Sequence, residues 1–242
     1  MAGTTVSHDE KTVRYFDTHA PEYSVGRLEF AAEALSKLTD EKSSLVDLGC
    51  GAGNTLAYLV GATPIRDVVG IDVSEELLTQ TGELVGCPVH LASILDPNLP
   101  EIVGRKFDVA VVAAVLHHLI GPTRKRSHAH ARAAIRNALR VLNPGGYVVI
   151  VEPSLGPRLA MDAVFYVKQA LSSVTERRIF FGDNYWTNFG VPVVSYYGNH
   201  ELLSMLEQEG AQVVVRDVLP QTLGRLDAVI TKTNTTLIAQ AS

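Results

Sequence analysis

Cysteine is scarce in this chain. Cys50 and Cys87 are the only two in 242 residues, and they show neither a pairing framework nor metal-ligand spacing. Two reduced thiols in a cytoplasmic protein are the expectation. Long apolar runs are also missing: the longest, residues 109–116, has strand length and is broken by alanines. A bilayer span needs roughly 18 such residues. The opening MAGTTVSHDEK has no apolar stretch of the secretory kind, so no leader is expected. Nor is there an excess of positive charge. With a net charge of −5, neither nucleic acid nor an anionic membrane is recommended as a partner. No internal repeat or low-complexity tract stands out. What remains is a chain with 46% hydrophobic residues, enough for one α/β domain with additions and too short for two full domains.

The most informative stretch is LVDLGCGAGN, residues 45–54. Leu45, Val46 and Leu48 suit a buried strand, and the acid Asp47 sits at its end. Gly49, Gly51 and Gly53 then alternate with small residues before a helical run begins at Asn54. A strand that breaks into glycines and restarts as a helix exposes backbone amides at a helix N-terminus. A dinucleotide fingerprint would read GxGxxG. Here the spacing is GxGxG, and Asp47 would repel a pyrophosphate while suiting an ammonium group. The run DVVGID predicts a second buried strand ending in Asp72, with Ser74 as N-cap of the next helix. An acid about 20 residues after a glycine loop reaches ribose hydroxyls in doubly wound folds. A ligand with a cationic amino-acid end and a nucleoside end fits both acids.

Strand patterns recur at 44–48, 67–72, 88–91, 107–113 and 146–151. Helices are expected to start near Asn54, Glu75, Pro97, Leu116 and Thr123. This rhythm predicts a parallel, doubly wound sheet with ligands at the C-terminal edge of its strands. AQVVVRDVL and LDAVITKTN predict two strands with no helix between them. Residues 11–19 and 23–38 read as helices separated by Pro21. Residues 154–199 form a long insertion after the fifth strand, with a helix at 159–174 and a dense aromatic run.

DLGCGAGN, GIDVS, FDVAVVAAVLHHL and LRVLNPGGYVVIVEP, in that order, resemble the class I S-adenosylmethionine-dependent methyltransferases. Within them, the chain is similar to the small-molecule group that includes the ubiquinone and menaquinone biosynthesis methylases. The resemblance implies an α/β fold with a doubly wound, seven-stranded, mostly parallel sheet closed by an antiparallel hairpin. It divides one domain into a helical cap (1–41), a cofactor-binding core (42–153), a substrate-lid insertion (154–199) and a closing helix with antiparallel strands (200–242). It implies S-adenosyl-L-methionine as cofactor and S-adenosyl-L-homocysteine as product. The expected enzyme is cytoplasmic and acts in secondary metabolism on a small-molecule acceptor, by O-methylation of an apolar or aromatic metabolite. N- or C-methylation, or cofactor binding without transfer, are the alternatives. No nucleic acid, no membrane span and a possible homodimer complete that expectation.

Residue by residue, the resemblance implies that the glycine loop with Cys50 and Asn54 lies under the cofactor's methionine end, that Asp47 meets its amino group, and that Asp72 with Val73 holds the ribose. Ser93 and Ile94 are expected at the adenine, with Asp96 as competitor. Ala113 and Ala114 lie near the methionine amine and the transferring methyl, with Val115 and Leu116 lining the cleft. His117 and His118 are the candidate bases for an acceptor hydroxyl. The competing reading has His118 bracing the loop and His117 at the surface. Tyr15, Phe16 and Tyr23 are candidate lid residues. Phe165, Tyr166, Tyr185, Trp186 and Tyr196, within a group that also holds Phe180, Phe181, Phe189 and Tyr197, are candidates for an acceptor pocket. His128 and His130 are too close for one helix face to bind metal, and no metal is expected. Arg124, Lys125, Arg126, Arg132, Arg136 and Arg140 read as a solvated basic face. The fourth strand ends without an acid, so Mg²⁺-assisted methylation is not expected.

Overall fold

In a computed structural model, the structure describes residues 25–174, 193–222, 224 and 230–241. Seven strands form one sheet in the order β3-β2-β1-β4-β5-β7-β6. They are β1 (Ser44–Leu48), β2 (Asp67–Asp72), β3 (Val89–Leu91), β4 (Phe107–Ala113), β5 (Leu142–Gly156), β6 (Gln212–Gln221) and β7 (Thr231–Gln240). The first five are parallel, and β7 runs antiparallel between β5 and β6.

The helices are α1 (Glu29–Leu38), α2 (Asn54–Ala62), α3 (Glu75–Val85), α4 (Leu99–Val103), α5 (Arg124–Arg140), α6 (Arg158–Val174) and α7 (Asn199–Gln208). A 3-10 turn (Val25–Leu28) leads into α1. The sheet separates two apolar clusters because strand side chains alternate between its faces. Val46, Leu48, Ala110, Val112, Val148 and Ile150 pack with Ala131, Ala134 and Ile135 of α5 and Met205 of α7. Leu45, Val109, Val111 and Val149 face Leu35 of α1 and Leu56 and Leu59 of α2 on the other side. Chain order reverses between β1 and β4, so the crevice outside their C-terminal ends is where such a sheet takes its ligands.

Several boundaries differ from the sequence expectation. The fifth strand runs from Leu142 to Gly156 rather than over 146–151, because β7 pairs with it as far as Gly156. The last strand is Thr231–Gln240, set later than LDAVITKTN, and its apolar half is TLIAQ. Leu116 opens a single 3-10 turn (Leu116–His118) instead of a helix. The helix expected at Pro97 starts at Leu99. The helix expected over 23–38 is a 3-10 turn followed by α1. The helix read at 11–19 lies outside the described residues.

Candidate active site

The β1–α2 loop is built from backbone. Gly49 has φ of +89°, and a Cβ there would lie 2.6 Å from Cγ2 of Val115, so the loop after β4 seats directly on it. The amides of Gly49 and Cys50 both donate to Ile71 O, tying this turn to β2. Gly51, with φ of +55°, has open space where its Cβ would stand. Gly53 immediately precedes α2, and Asn54 is the first residue of that helix. Cys50 is buried, its thiol pKa pushed up by burial, Asp47 and Asp72, so it is inert as a nucleophile.

Asp72 ends β2 and organises this loop. One oxygen accepts from the Gly51 amide at 2.9 Å, and the other accepts from Val73 N at 2.8 Å and Ser74 N at 3.0 Å. Ser74 caps α3 by accepting from Leu77 N at 3.2 Å. Asp47 is a different kind of acid. It is 1% exposed, and neither carboxylate oxygen has a hydrogen-bond partner among the described residues. Burial, with the neighbouring charge of Asp72, pushes its pKa up to about 8. A sealed carboxylate without a partner is costly, and a bound cation removes that cost.

At the other end of the crevice, Ser93 accepts from Leu95 N at 3.0 Å, closing a local turn. Ile94 is buried in the core and its carbonyl accepts from Asn137 Nδ2. Asp96 accepts from Asn98 N at 2.8 Å, so its carboxylate is turned into the start of α4.

The loop after β4 is built from side chains. Ala113 and Ala114 are buried, and Ala114 has φ of +58° while its amide donates to Val151 O at 2.7 Å. Glu152, at the far end of β5 and 2% exposed, holds the next three residues. Its Oε1 accepts from the amides of Val115 and Leu116, both at 2.7 Å, and its Oε2 lies 2.6 Å from His117 Nδ1. His117 is therefore buried and bonded; the reading that placed it at the surface is corrected by this contact. His118 packs against it, ring centroids 3.9 Å apart, and Tyr196 stacks on His117 at 5.4 Å. Burial holds the His117 pKa down to about 3, helped by Arg27 and Lys168. Burial raises that of Glu152 to about 7, against the pull of its two amides. His118 is likewise lowered by burial and by His117.

The segment carrying Tyr196 is fixed by a residue misjudged in sequence. Arg124 does not belong to a solvated face. It is 8% exposed, donates to Ser195 Oγ, Tyr196 O and Asp162, and lies over the Tyr197 ring at 4.8 Å. Arg132 and Arg136 both grip Glu209, while Arg136 stays exposed as expected. Ser195 N donates to His117 O at 2.8 Å, closing the link back to the loop. On α6, Phe165 is 1% exposed in the interior, whereas Tyr166 is 49% exposed. Lys168, buried on the same helix, has its pKa lowered to about 8 by burial. Tyr15, Phe16, Tyr23, Phe180, Phe181, Tyr185, Trp186 and Phe189 lie outside the described residues. Glu152 was not singled out in sequence; the VEP at the end of a strand, opposite two histidines, was its only signal.

The fold and the crevice define a Rossmann-like α/β domain with a buried, partnerless acid that suits a cationic group. Residues 46–148 match the methyltransferase domain family. The dTDP-3-amino-3,4,6-trideoxy-alpha-D-glucopyranose N,N-dimethyltransferase of Streptomyces venezuelae is 30% identical over 132 residues, covering 54% of this chain and 51% of that protein. A tRNA (carboxymethyluridine(34)-5-O)-methyltransferase of Arabidopsis thaliana is 32% identical over 141 residues, covering 57% of this chain and 31% of that protein. The chain thus spans about half or less of the length of these curated relatives. Among solved structures, the N-methyltransferase NodS of Bradyrhizobium japonicum WM9, in complex with S-adenosyl-L-homocysteine, superposes with a TM-score of 0.59 at 18% identity. That match covers 96% of this chain and 98% of NodS. Over residues 46–148 the chain is similar to methyltransferase domains, and it shares the fold of NodS, whose structure holds S-adenosyl-L-homocysteine, the product left by S-adenosylmethionine. Its residues fit that cofactor: the partnerless Asp47 carboxylate suits the ammonium group, and the open space over Gly51 admits the ligand.

Proposed function

We propose that the chain transfers a methyl group from S-adenosylmethionine to a hydroxyl of a small apolar or aromatic metabolite. The observation that carries the reading is Asp47, a sealed carboxylate with no partner among the described residues, beside a glycine turn. Asp47 would meet the amino group, Asp72 the ribose hydroxyls, and the turn around Ser93 and Ile94 the adenine. When bound, the cofactor supplies a methyl group made electrophilic by positive sulfur. The chain's own task is then to align the acceptor with that methyl and exclude water, which contributes about 7–11 kcal/mol in well-oriented systems.

An oxygen acceptor is favoured by the buried imidazole of His117 beside the β4 loop, since a hydroxyl must shed its proton while an amine is already nucleophilic. Tyr166 and Tyr196 offer aromatic surface to an apolar acceptor, with the N-terminal residues and the 154–199 insertion as cap. The net charge of −5 supports a small molecule over nucleic acid. No helix among the described residues is long and apolar enough to cross a membrane, and we assign the enzyme to the cytoplasm, as monomer or homodimer. A second reading, N-methylation, is favoured by the amino-sugar N,N-dimethyltransferase among the relatives.

The test is S-adenosylhomocysteine release from purified protein with 1-naphthol, benzylamine or bulk tRNA. Release with 1-naphthol supports the proposal. Release with benzylamine alone replaces it by N-methylation, release with tRNA alone overturns the small-molecule reading, and cofactor binding with no release leaves a binding protein.

A further inference from the structure

Three consecutive residues before α7 face two ways, and that division carries one step more, resting on the reading of a small methyl acceptor. Ser195 and Tyr197 turn to one side, where Ser195 Oγ donates to the Tyr197 hydroxyl at 3.2 Å and both meet Arg124. Tyr196 turns to the other, its ring stacked on His117 at 5.4 Å with 17° between the planes. Side chains along an extended segment alternate in this way. Ser195 and Tyr197 are sealed in the interior, whereas Tyr196 keeps some surface beside the β4 loop. The backbone is pinned on both sides of Tyr196. Ser195 N donates to His117 O at 2.8 Å, and Leu155 N donates to Tyr197 O at 3.2 Å.

Arg124 acts from the back of this segment. It is the first residue of α5, where a cation opposes the helix dipole, so local helix chemistry does not account for it. Its fork donates to Ser195 Oγ, to Tyr196 O and to Asp162 Oδ1 of α6, and Glu201 of α7 lies 3.7 Å away. The guanidinium also lies over the Tyr197 ring at 4.8 Å. Lysine would supply the charge but not the planar fork. One buried side chain thus ties α5, α6 and α7 to the backbone of Tyr196, and the direction of the Tyr196 ring follows.

We propose that Tyr196 selects a flat aromatic acceptor, and that Arg124 is the positioning residue that aims its ring. A ring held in one plane pairs with another aromatic ring by offset stacking or edge contact. A saturated ring of similar size offers no π face to that arrangement. Tyr196 thereby narrows the apolar or aromatic acceptor class to planar molecules.

The probes are 1-naphthol and decahydro-1-naphthol, which share a skeleton and a hydroxyl but differ in flatness. Their binding to protein loaded with S-adenosylhomocysteine is measured by calorimetry, so no turnover is needed. The wild type is expected to bind 1-naphthol about 5-fold or more tightly than the saturated alcohol, the scale of one aromatic pair. Tyr196→Leu and Arg124→Lys should each close that gap, with the affinity for S-adenosylhomocysteine unchanged. In NMR spectra of histidine-labelled protein, both variants should move the His117 ring signals in the same direction, because each takes an aromatic ring off that imidazole. A purely structural Arg124 would lower stability and leave the gap and those signals in place. In turnover, KM for 1-naphthol should rise at nearly constant kcat, the mark of lost binding rather than lost chemistry. If Arg124→Lys does not bind S-adenosylhomocysteine, Ser195→Ala takes its place; it removes one acceptor of the fork and should close part of the gap. Equal or absent binding of the two alcohols by the wild type, or a gap that survives Tyr196→Leu, overturns the selection. A gap that survives Arg124→Lys, or Ser195→Ala in its place, overturns the positioning. If the wild type shows the gap but methylates no acceptor, the methyl-transfer reading fails alone and selection by Tyr196 stands.

Discussion

The two halves of the crevice are made of different materials. On one side, β1 and β2 end in a backbone turn, with one acid satisfied by three amides and another by none. On the β4 side, the loop after β4 is held by Glu152 of β5 and by the segment before α7, and its central carboxylate is fully engaged. Asp47 and Glu152 are both buried carboxylates, yet their surroundings are opposite. Polar burial stabilises a fold only when partners are supplied, and stores readiness for a ligand when they are not.

Removing each acid should expose that contrast. Glu152→Ala leaves two buried amides and an imidazole without their partner. We expect it to lower unfolding stability by about 3–5 kcal/mol in urea titrations; a loss well under that would mean the loop holds itself. Asp72→Ala removes the acceptor of the Gly51, Val73 and Ser74 amides and, on the proposed reading, the carboxylate for the ribose. Cofactor affinity should fall by about 2 kcal/mol or more by calorimetry, and unchanged affinity would remove Asp72 from the ribose. Asp47→Val should act in the reverse sense on stability. It removes a desolvated, partnerless carboxylate and should stabilise the free protein by about 1–3 kcal/mol at pH 8, while weakening cofactor binding.

The pH dependence sharpens the same pair. Asp47 binds its proton more tightly folded than unfolded, its pKa rising from 3.8 to about 8. Its contribution to stability is therefore complete at low pH and is lost as pH rises through that window. The advantage of Asp47→Val over wild type should widen steadily from pH 5 to pH 8 in parallel denaturation curves. A constant gap would show that Asp47 is ionised throughout. The smallest effect is expected at the seam between the halves. Ala114 sits at φ of +58°, a conformation that glycine adopts without strain. Ala114→Gly should raise stability by roughly 0.5–1 kcal/mol, visible as a small increase in Tm.

The same contrast explains what could be read before the fold was known. Strands β1, β2 and β4 appear in the sequence at the bounds they have in the structure, because buried parallel strands are short apolar runs bounded by turn residues. Strands β5 and β7 were foreshortened or displaced, because their outer halves are held by pairing with each other and carry Glu152, Ser154, Lys232 and Asn234 in place of an apolar pattern. The 3-10 turn at Leu116–His118 looked like a helix start, but Glu152 takes the amides of Val115 and Leu116. Arg124 looked solvated because a helix-face argument has no knowledge of Asp162, Ser195 and Tyr196, up to 72 residues away.

Local sequence alone determined the glycine turn, the two acids after β1 and β2 and the doubly wound class, because each rests on backbone conformation and a short period of burial. Tertiary structure alone decided which acid is satisfied and which waits, and that His117 rather than His118 is clasped by Glu152. The Glu152–His117 contact joins residues 35 positions apart, and Asp72 reaches back 21 positions to the Gly51 amide; over such separations chain order carries no distance information.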